Sequence, residues 1–415
     1  MLEFNTYEGV HQGITQKNHR KQVRKMRKEI ENTILASVSA KEVSGANVLI
    51  IKDGKELCYA EGGLRDIEGN VPFSRDTIIR LYSMSKPVTS AAVMMLVDRG
   101  QIDLCESVGR YIDTFSGMTV SKNGVKTKAS RDITFHDLMS MTSGTVYPGM
   151  GSDAERESAA LFSEAEHRLG TDNEMSTMEF AERTGKNTLA FDPGETFRYG
   201  TSADILGALV EKISGMSFGS FLQKEFFDPL EMKDTGFYVK NENRSRLAKV
   251  YRSGNDSIRE DKTCHLAISY NMDHAPAFES GGAGLCSTLD DYSRFAGMLM
   301  QNGSVNGKRF LSQEAVKFMT NGGLQPWQQP GFDSWTGLQG FSYGNLMRVM
   351  KDPGRALLFG SKGEYGWDGW LGAYFSNDPA NKLTILMGMQ KIDAGTWHLT
   401  RRIRNLVYSH LHDNE

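Results

Sequence analysis

The chain has 415 residues, with 48 Lys plus Arg against 51 Asp plus Glu and a formal net charge of −3. At about 150 residues per domain, this length holds two or three domains, or one large domain with an insertion. A hydrophobic content of 39% and a charged content of 24% argue against disorder, and the lack of a basic excess argues against a protein built mainly to bind nucleic acid. Cys58, Cys105, Cys264 and Cys286 are widely spaced. Without a C-x-x-C or a His–Cys group at zinc spacing, they read as isolated thiols of a reducing compartment. The opening Met1-Leu2-Glu3-Phe4-Asn5 has no basic, then apolar, leader pattern, and no run approaches the ~18 apolar residues of a membrane span. A cytoplasmic chain with no membrane partner is therefore expected; its oligomeric state is open.

Taken in chain order, the first element is a helix over 17–36. Val23, Met26, Ile30 and Ile34 recur on one face behind a basic stretch from Lys17 to Lys28. The narrow apolar face fits packing on a sheet with the charges in water. Two apolar runs, 47–52 and 56–60, joined by Asp53-Gly54, predict a β-hairpin, with a third short strand over 77–81. From Ser83 to about Thr288, helical periodicities dominate. One helix covers Val88–Asp98 and stops at Arg99-Gly100; another covers Ala203–Ile213 and stops near Ser214-Gly215. Loops are expected at 122–131 and 149–157. After Asp290 strands return, at 341–350, 371–375 and 383–389, followed by a closing helix over 396–410. Strands at both ends with helices between predict one sheet assembled from the two ends of the chain. The α/β part then spans about 1–82 plus 289–415, and a mostly helical part about 83–288.

Two serines compete as nucleophile. Ser83-Met84-Ser85-Lys86 is an S-x-x-K sequence at the start of an apolar helix, with Pro87 where a helix start tolerates it. Positions i and i+3 share a helix face, so the Lys86 amine can reach the Ser83 hydroxyl. A buried lysine loses its charge readily enough to serve as base. The tetrapeptide by itself also describes a Ser N-cap followed by an exposed Lys. Gly215-Met216-Ser217-Phe218-Gly219 fits G-x-S-x-G, but that elbow needs a strand before it. Here a helix precedes it, so Ser217 reads as part of a helix-to-helix turn. His136 falls in a short helix and reads as structural. No dinucleotide or phosphate-loop fingerprint occurs and the nine His show no metal spacing, so no cofactor and no metal are expected.

The segment Ile79–Thr89 around Ser83 resembles the nucleophile segment of the serine β-lactamase and penicillin-binding-protein superfamily, and is most similar to the class C-like branch that includes family VIII carboxylesterases. Four further segments match in chain order: Ile133–Met139 with Thr142-Ser143-Gly144, Phe191–Glu195 with Phe197–Ser202, Gly281–Thr288, and Gly363–Gly369. The resemblance covers roughly residues 45–395. It implies a β-lactamase-like α/β sandwich, an antiparallel sheet flanked by helices, with the site in the cleft beside a mostly helical subdomain.

The resemblance also implies roles. Ser83 would be the acylated nucleophile, Lys86 would share its proton, and Tyr199 would act as general base and acid. The backbone N–H groups of Ser83 and Trp370 would form the oxyanion hole. The family's Y-x-N becomes Tyr199-Gly200-Thr201, and its K-T-G on the edge strand becomes Trp367-Asp368-Gly369. Thr201, Trp367, Asp368 and Gly369 would then meet the substrate, with Gly369 letting it approach the strand closely. Trp367 removes a cation and Asp368 adds a carboxylate, so carboxylate-bearing substrates are expected to be disfavoured. Trp335, within an aromatic stretch holding Trp327, Pro330 and Phe332, could wall the cleft or merely pin its own loop. The expected activity is a serine carboxylesterase for small uncharged esters. The alternatives are a β-lactamase, D-peptidase, amidase or acyltransferase on the same fold, or an inactive binding module.

Overall fold

The computed structural model describes residues 5–122, 124–254, 257–395 and 398–411. Helix α1 (Asn5–Ser39) leads into strands β1 (Gly45–Lys52), β2 (Lys55–Asp66) and β3 (Val71–Pro72). Helices α2 (Lys86–Asp98), α3 (Asp153–Arg168), α4 (Ser202–Ser214) and α5 (Leu289–Met300) follow among shorter elements. Strands β4 (Phe341–Gly344), β5 (Met347–Met350), β6 (Tyr365–Asp368), β7 (Tyr374–Asp378) and β8 (Leu383–Gly388) precede a last helix, α6 (His398–Ser409). The eight strands form one antiparallel sheet in the order β4-β5-β6-β7-β8-β1-β2-β3.

The two ends of the chain meet where β1 pairs with β8, Leu49 opposite Leu386 and Ile50 opposite Ile385. Side chains alternate across the sheet with the period of two that a strand imposes. Val48 and Ile50 join Met26, Ile30 and Ile34 of α1 and Leu399, Ile403 and Val407 of α6 on one face. Leu49 and Leu386 join α2, α4 and α5 on the other. The periodic face read in α1 is thus its packing face. Residues Lys86–Leu96 of α2 are buried all round, because the helix runs between the sheet and α4.

Several local expectations change. The run 341–350 is a hairpin, not one strand: Asn345 and Leu346 both take positive φ, the conformation of a tight reversal. That hairpin supplies the sheet edge, so the Trp367 strand, β6, is internal rather than an edge strand. Only Tyr365 and Gly366 pair with β5, however, and the Trp367–Asp368 end has a neighbour on one side alone. The strand expected at 371–375 runs instead over Tyr374–Asp378, because Gly369–Gly372 is a turn closed by the Gly372 N–H on the Gly369 carbonyl at 2.8 Å. Of 77–81, only Ile79–Arg80 is strand, paired with Cys286–Ser287 outside the main sheet. Thr119–Lys122 and Val125–Lys128 pair as antiparallel strands, and Ser152 caps α3 inside the stretch read as loop. Of the closing helix, His398–Ser409 is described; Thr396 and Trp397 lie outside the described residues.

Candidate active site

Ser83 sits in a single 3-10 turn, Tyr82–Ser85, that runs directly into α2, with Pro87 in the first turn of the helix. Tyr82 is fully buried yet has φ of 46°, a strained setting for a bulky residue that costs about 1–3 kcal/mol and persists only where the surroundings enforce it. Here they do. Tyr82 is packed against the stacked pair of Trp370 (5.3 Å between ring centres) and His265 (5.8 Å), and this sharp bend delivers Ser83 to the cavity while the following residues are already helical.

Lys86 is 0% exposed. Its Nζ donates to the Ser83 hydroxyl at 3.1 Å, the Tyr147 hydroxyl at 3.2 Å and the Gly282 carbonyl at 2.8 Å. Burial pushes the amine down to about 7, against the partial support of Asp204. It is therefore about half neutral near pH 7, where an exposed lysine is almost wholly charged. Tyr199 lies on the other flank, its ring centre 4.5 Å from Lys86 Nζ. Burial raises the Tyr199 phenol above its ordinary value, while hydrogen bonds with Ser83 and Trp367 pull the other way. The Trp367 indole donates to the Tyr199 oxygen at 2.8 Å. Since an indole N–H can only donate, the Tyr199 oxygen is the acceptor in that bond.

The residues read as substrate contacts divide. Trp335, Trp367, Asp368, Gly369 and Trp370 line a cavity of about 800 Å³ that also exposes Ser83, Tyr199, Tyr147, Phe162, Leu266 and Leu338. Thr201 does not line it. It is 1% exposed at the start of α4 and its hydroxyl has no partner among the described residues. Its role as a substrate contact is therefore not supported. Asp368 is not the free charge expected. Its carboxylate bonds Arg348 at 2.5 Å, and the two side chains are 10% and 2% exposed. Charge at that point of the wall is balanced from behind, and the repulsion argued from Asp368 falls away. Gly369 permits a close approach, but to protein: a Cβ there would lie 2.2 Å from the Leu81 carbonyl. It lets the end of β6 press against the chain leading to Ser83. Trp335 stands against Tyr199, ring centres 5.0 Å apart, and stacks on Trp367 at 6.2 Å. From the same stretch, Phe332 is buried in the core and Trp327 is 63% exposed.

The backbone N–H groups of Ser83 and Trp370 have no acceptor among the described residues. Trp370 is fixed by its indole bond to Asp393 at 2.6 Å and by stacking on His265 at 3.8 Å. Burial pushes that histidine down to about 4, so it is neutral. Ser217 and His136 lie elsewhere. Ser217 caps the short helix Phe218–Leu222, and His136 bonds Ser140 at 3.3 Å. Tyr147 and Gly282, which complete the Lys86 cage, both sit on loops, where no periodicity marks a residue as part of the site. A Cβ on Gly200 would lie 2.1 Å from the Thr145 carbonyl, so the glycine after Tyr199 lets the Tyr147 loop close on it.

With this geometry in view, the comparisons with known proteins are consistent. The profile of the family described as Beta-lactamase matches residues 27–397. Protein Rv1367c of Mycobacterium tuberculosis is 31% identical over 360 residues, covering 84% of this chain and 86% of its own. Esterase EstB of Burkholderia gladioli is 27% identical over 386 residues, covering 88% and 91%. Among solved structures, EstCE1, a hydrolase with promiscuous acyltransferase activity, superposes with a TM-score of 0.79 at 21% identity, covering 93% of this chain and 99% of that one. Among the described residues no single helix is long and apolar enough to cross a membrane.

Proposed function

Because the chain belongs to the β-lactamase family and is a serine hydrolase of that fold, we propose that it is a carboxylesterase acting through an acyl-enzyme on Ser83, on esters without a carboxylate near the scissile bond. The observation that carries this reading is the Lys86 cage: a buried amine near neutrality, 3.1 Å from a hydroxyl at the cavity floor. Neutral Lys86 takes the Ser83 proton as Oγ attacks the ester carbon. The oxyanion meets the Ser83 and Trp370 N–H groups. Collapse breaks the bond to the alcohol oxygen, which recovers a proton through Tyr199. Its buried phenol stays protonated and so serves as acid before base. Water then enters by the same route and releases the acid.

The ester preference rests on the wall. Among the described lining residues there is no Lys or Arg, Asp368 is neutralised, and Glu166 is the one further charged side chain. Nothing there pairs with a substrate carboxylate, whose burial unpaired is costly. A second reading, acyl transfer to an alcohol, is favoured by the apolar 800 Å³ cavity, which has room for an acceptor beside the acyl group. It is also favoured by the acyltransferase activity of EstCE1. The deciding experiment is fluorophosphonate labelling with p-nitrophenyl ester turnover. Label and turnover vanish in Ser83→Ala and persist in Ser217→Ala. Absence of label on the unmodified protein returns the inactive binding module.

A further inference from the structure

Asp204, near the start of α4, is a buried carboxyl that the steps above do not use and that forms no part of the cavity wall. One of its oxygens accepts from the Ser280 hydroxyl at 2.5 Å and from the Gly282 N–H at 3.0 Å. The Ser280 hydroxyl in turn accepts from the Ala283 N–H at 3.0 Å, closing the turn around the carboxylate. The Gly282 carbonyl, one peptide on, is the shortest of the three contacts made by Lys86 Nζ. A Cβ on Gly282 would lie 2.9 and 3.0 Å from the two Asp204 oxygens and 3.0 Å from the Tyr147 hydroxyl. Carboxylate, turn and tyrosine therefore pack without slack behind the amine. Around Lys86 stand Ser83 from the turn that leads into its helix, Tyr147 and Gly282 from loops, and Tyr199 from the approach to α4. Of the surrounding groups, Asp204 is the one whose charge acts on it; burial raises the Asp204 carboxyl above its ordinary value, against the pull of Lys86, Ser280 and Gly282 toward the carboxylate.

We propose that Asp204 is a positioning residue for acylation: its carboxylate holds the 280–283 turn that grips Lys86, and its negative charge sets how readily that amine accepts the Ser83 proton. The proposal rests on the reading of Lys86 as the base. It explains why a polar acid survives in the middle of an apolar helix pack, where an unpaired carboxylate is costly. A negative charge nearby favours the ammonium, so the site keeps its base titrating near neutrality instead of below it.

The test is the pH dependence of Ser83 phosphonylation by a fluorophosphonate, which reads nucleophile activation without turnover. In the unmodified protein the rate rises with pH through about 7, as Lys86 loses its proton. Asp204→Asn keeps an oxygen for Ser280 and Gly282 but removes the charge. Its acid limb moves down by about one pH unit, toward lower pH. Ser280→Ala keeps the charge but removes one anchor, so its limb stays in place while the plateau rate falls several-fold. A limb that does not move, or moves upward, in folded Asp204→Asn overturns the electrostatic half. An unchanged plateau in Ser280→Ala overturns the positioning half, and this variant decides that half even if Asp204→Asn does not fold. Failure of the unmodified protein to label refutes the acyl-enzyme reading instead, and the two failures are thereby distinct.

Discussion

Replacing Asp368 by Asn tests whether this carboxylate serves the substrate or the fold. Arg348, its partner, is 2% exposed and lies over the Tyr374 ring at 4.9 Å. Burial works against the guanidinium charge, but Asp368, with Tyr374 and Glu364, outweighs it and holds Arg348 above its usual value. Removing one partner of a buried pair typically costs about 3–5 kcal/mol, because the other charge is left uncompensated. Asn still offers Arg348 an oxygen, and Arg348 keeps the Phe375 carbonyl at 3.3 Å, so the low end, about 3 kcal/mol, is expected. At about 1.4 kcal/mol per factor of ten, that is roughly a hundredfold in the folding equilibrium. The assay is urea denaturation followed by circular dichroism, beside turnover of a neutral and an anionic ester. The double variant Arg348→Met/Asp368→Asn should recover most of the lost stability, since no lone charge remains. A cost below about 1 kcal/mol, together with a several-fold gain on the anionic ester alone, would refute the reasoning. It would show the Asp368 charge to be free in the cleft.

Lys86→Ala and Tyr199→Phe should each lower kcat by about 10²–10⁴-fold, and the double variant should lose less than the product, since the two serve one proton path; full additivity in steady-state kinetics would contradict that. Trp335→Ala should raise KM for long acyl esters more than for acetate, because Trp335 walls the cavity and stacks on Trp367; equal effects on both would leave it a support for Tyr199 alone. Gly369→Ala should lower Ser83 labelling at least tenfold, because the new Cβ meets the Leu81 carbonyl at 2.2 Å and pushes on the chain before Ser83; normal labelling would mean that β6 yields without moving the nucleophile.

What the amino-acid sequence determined alone is whatever depends on neighbours along the chain. The Ser83–Lys86 contact follows from helix geometry, which puts i and i+3 on one face. The sheet-facing stripe of α1 and the helix stops at Gly100 and Gly215, both at positive φ, follow from periodicity and from glycine's freedom. The rejection of Ser217 follows likewise from the helix before it. The tertiary structure decided what depends on strangers in sequence. Lys86 meets Tyr147, 61 residues away, and Gly282, 196 away; Asp368 finds Arg348 beneath it; Trp367 spends its N–H on Tyr199, 168 residues away. Thr201 shares a three-residue motif with Tyr199, yet it turns into the core, because the chain enters α4 there. A motif records residue types, but charge and proton affinity are set by burial and by partners, and these exist only once the chain has folded.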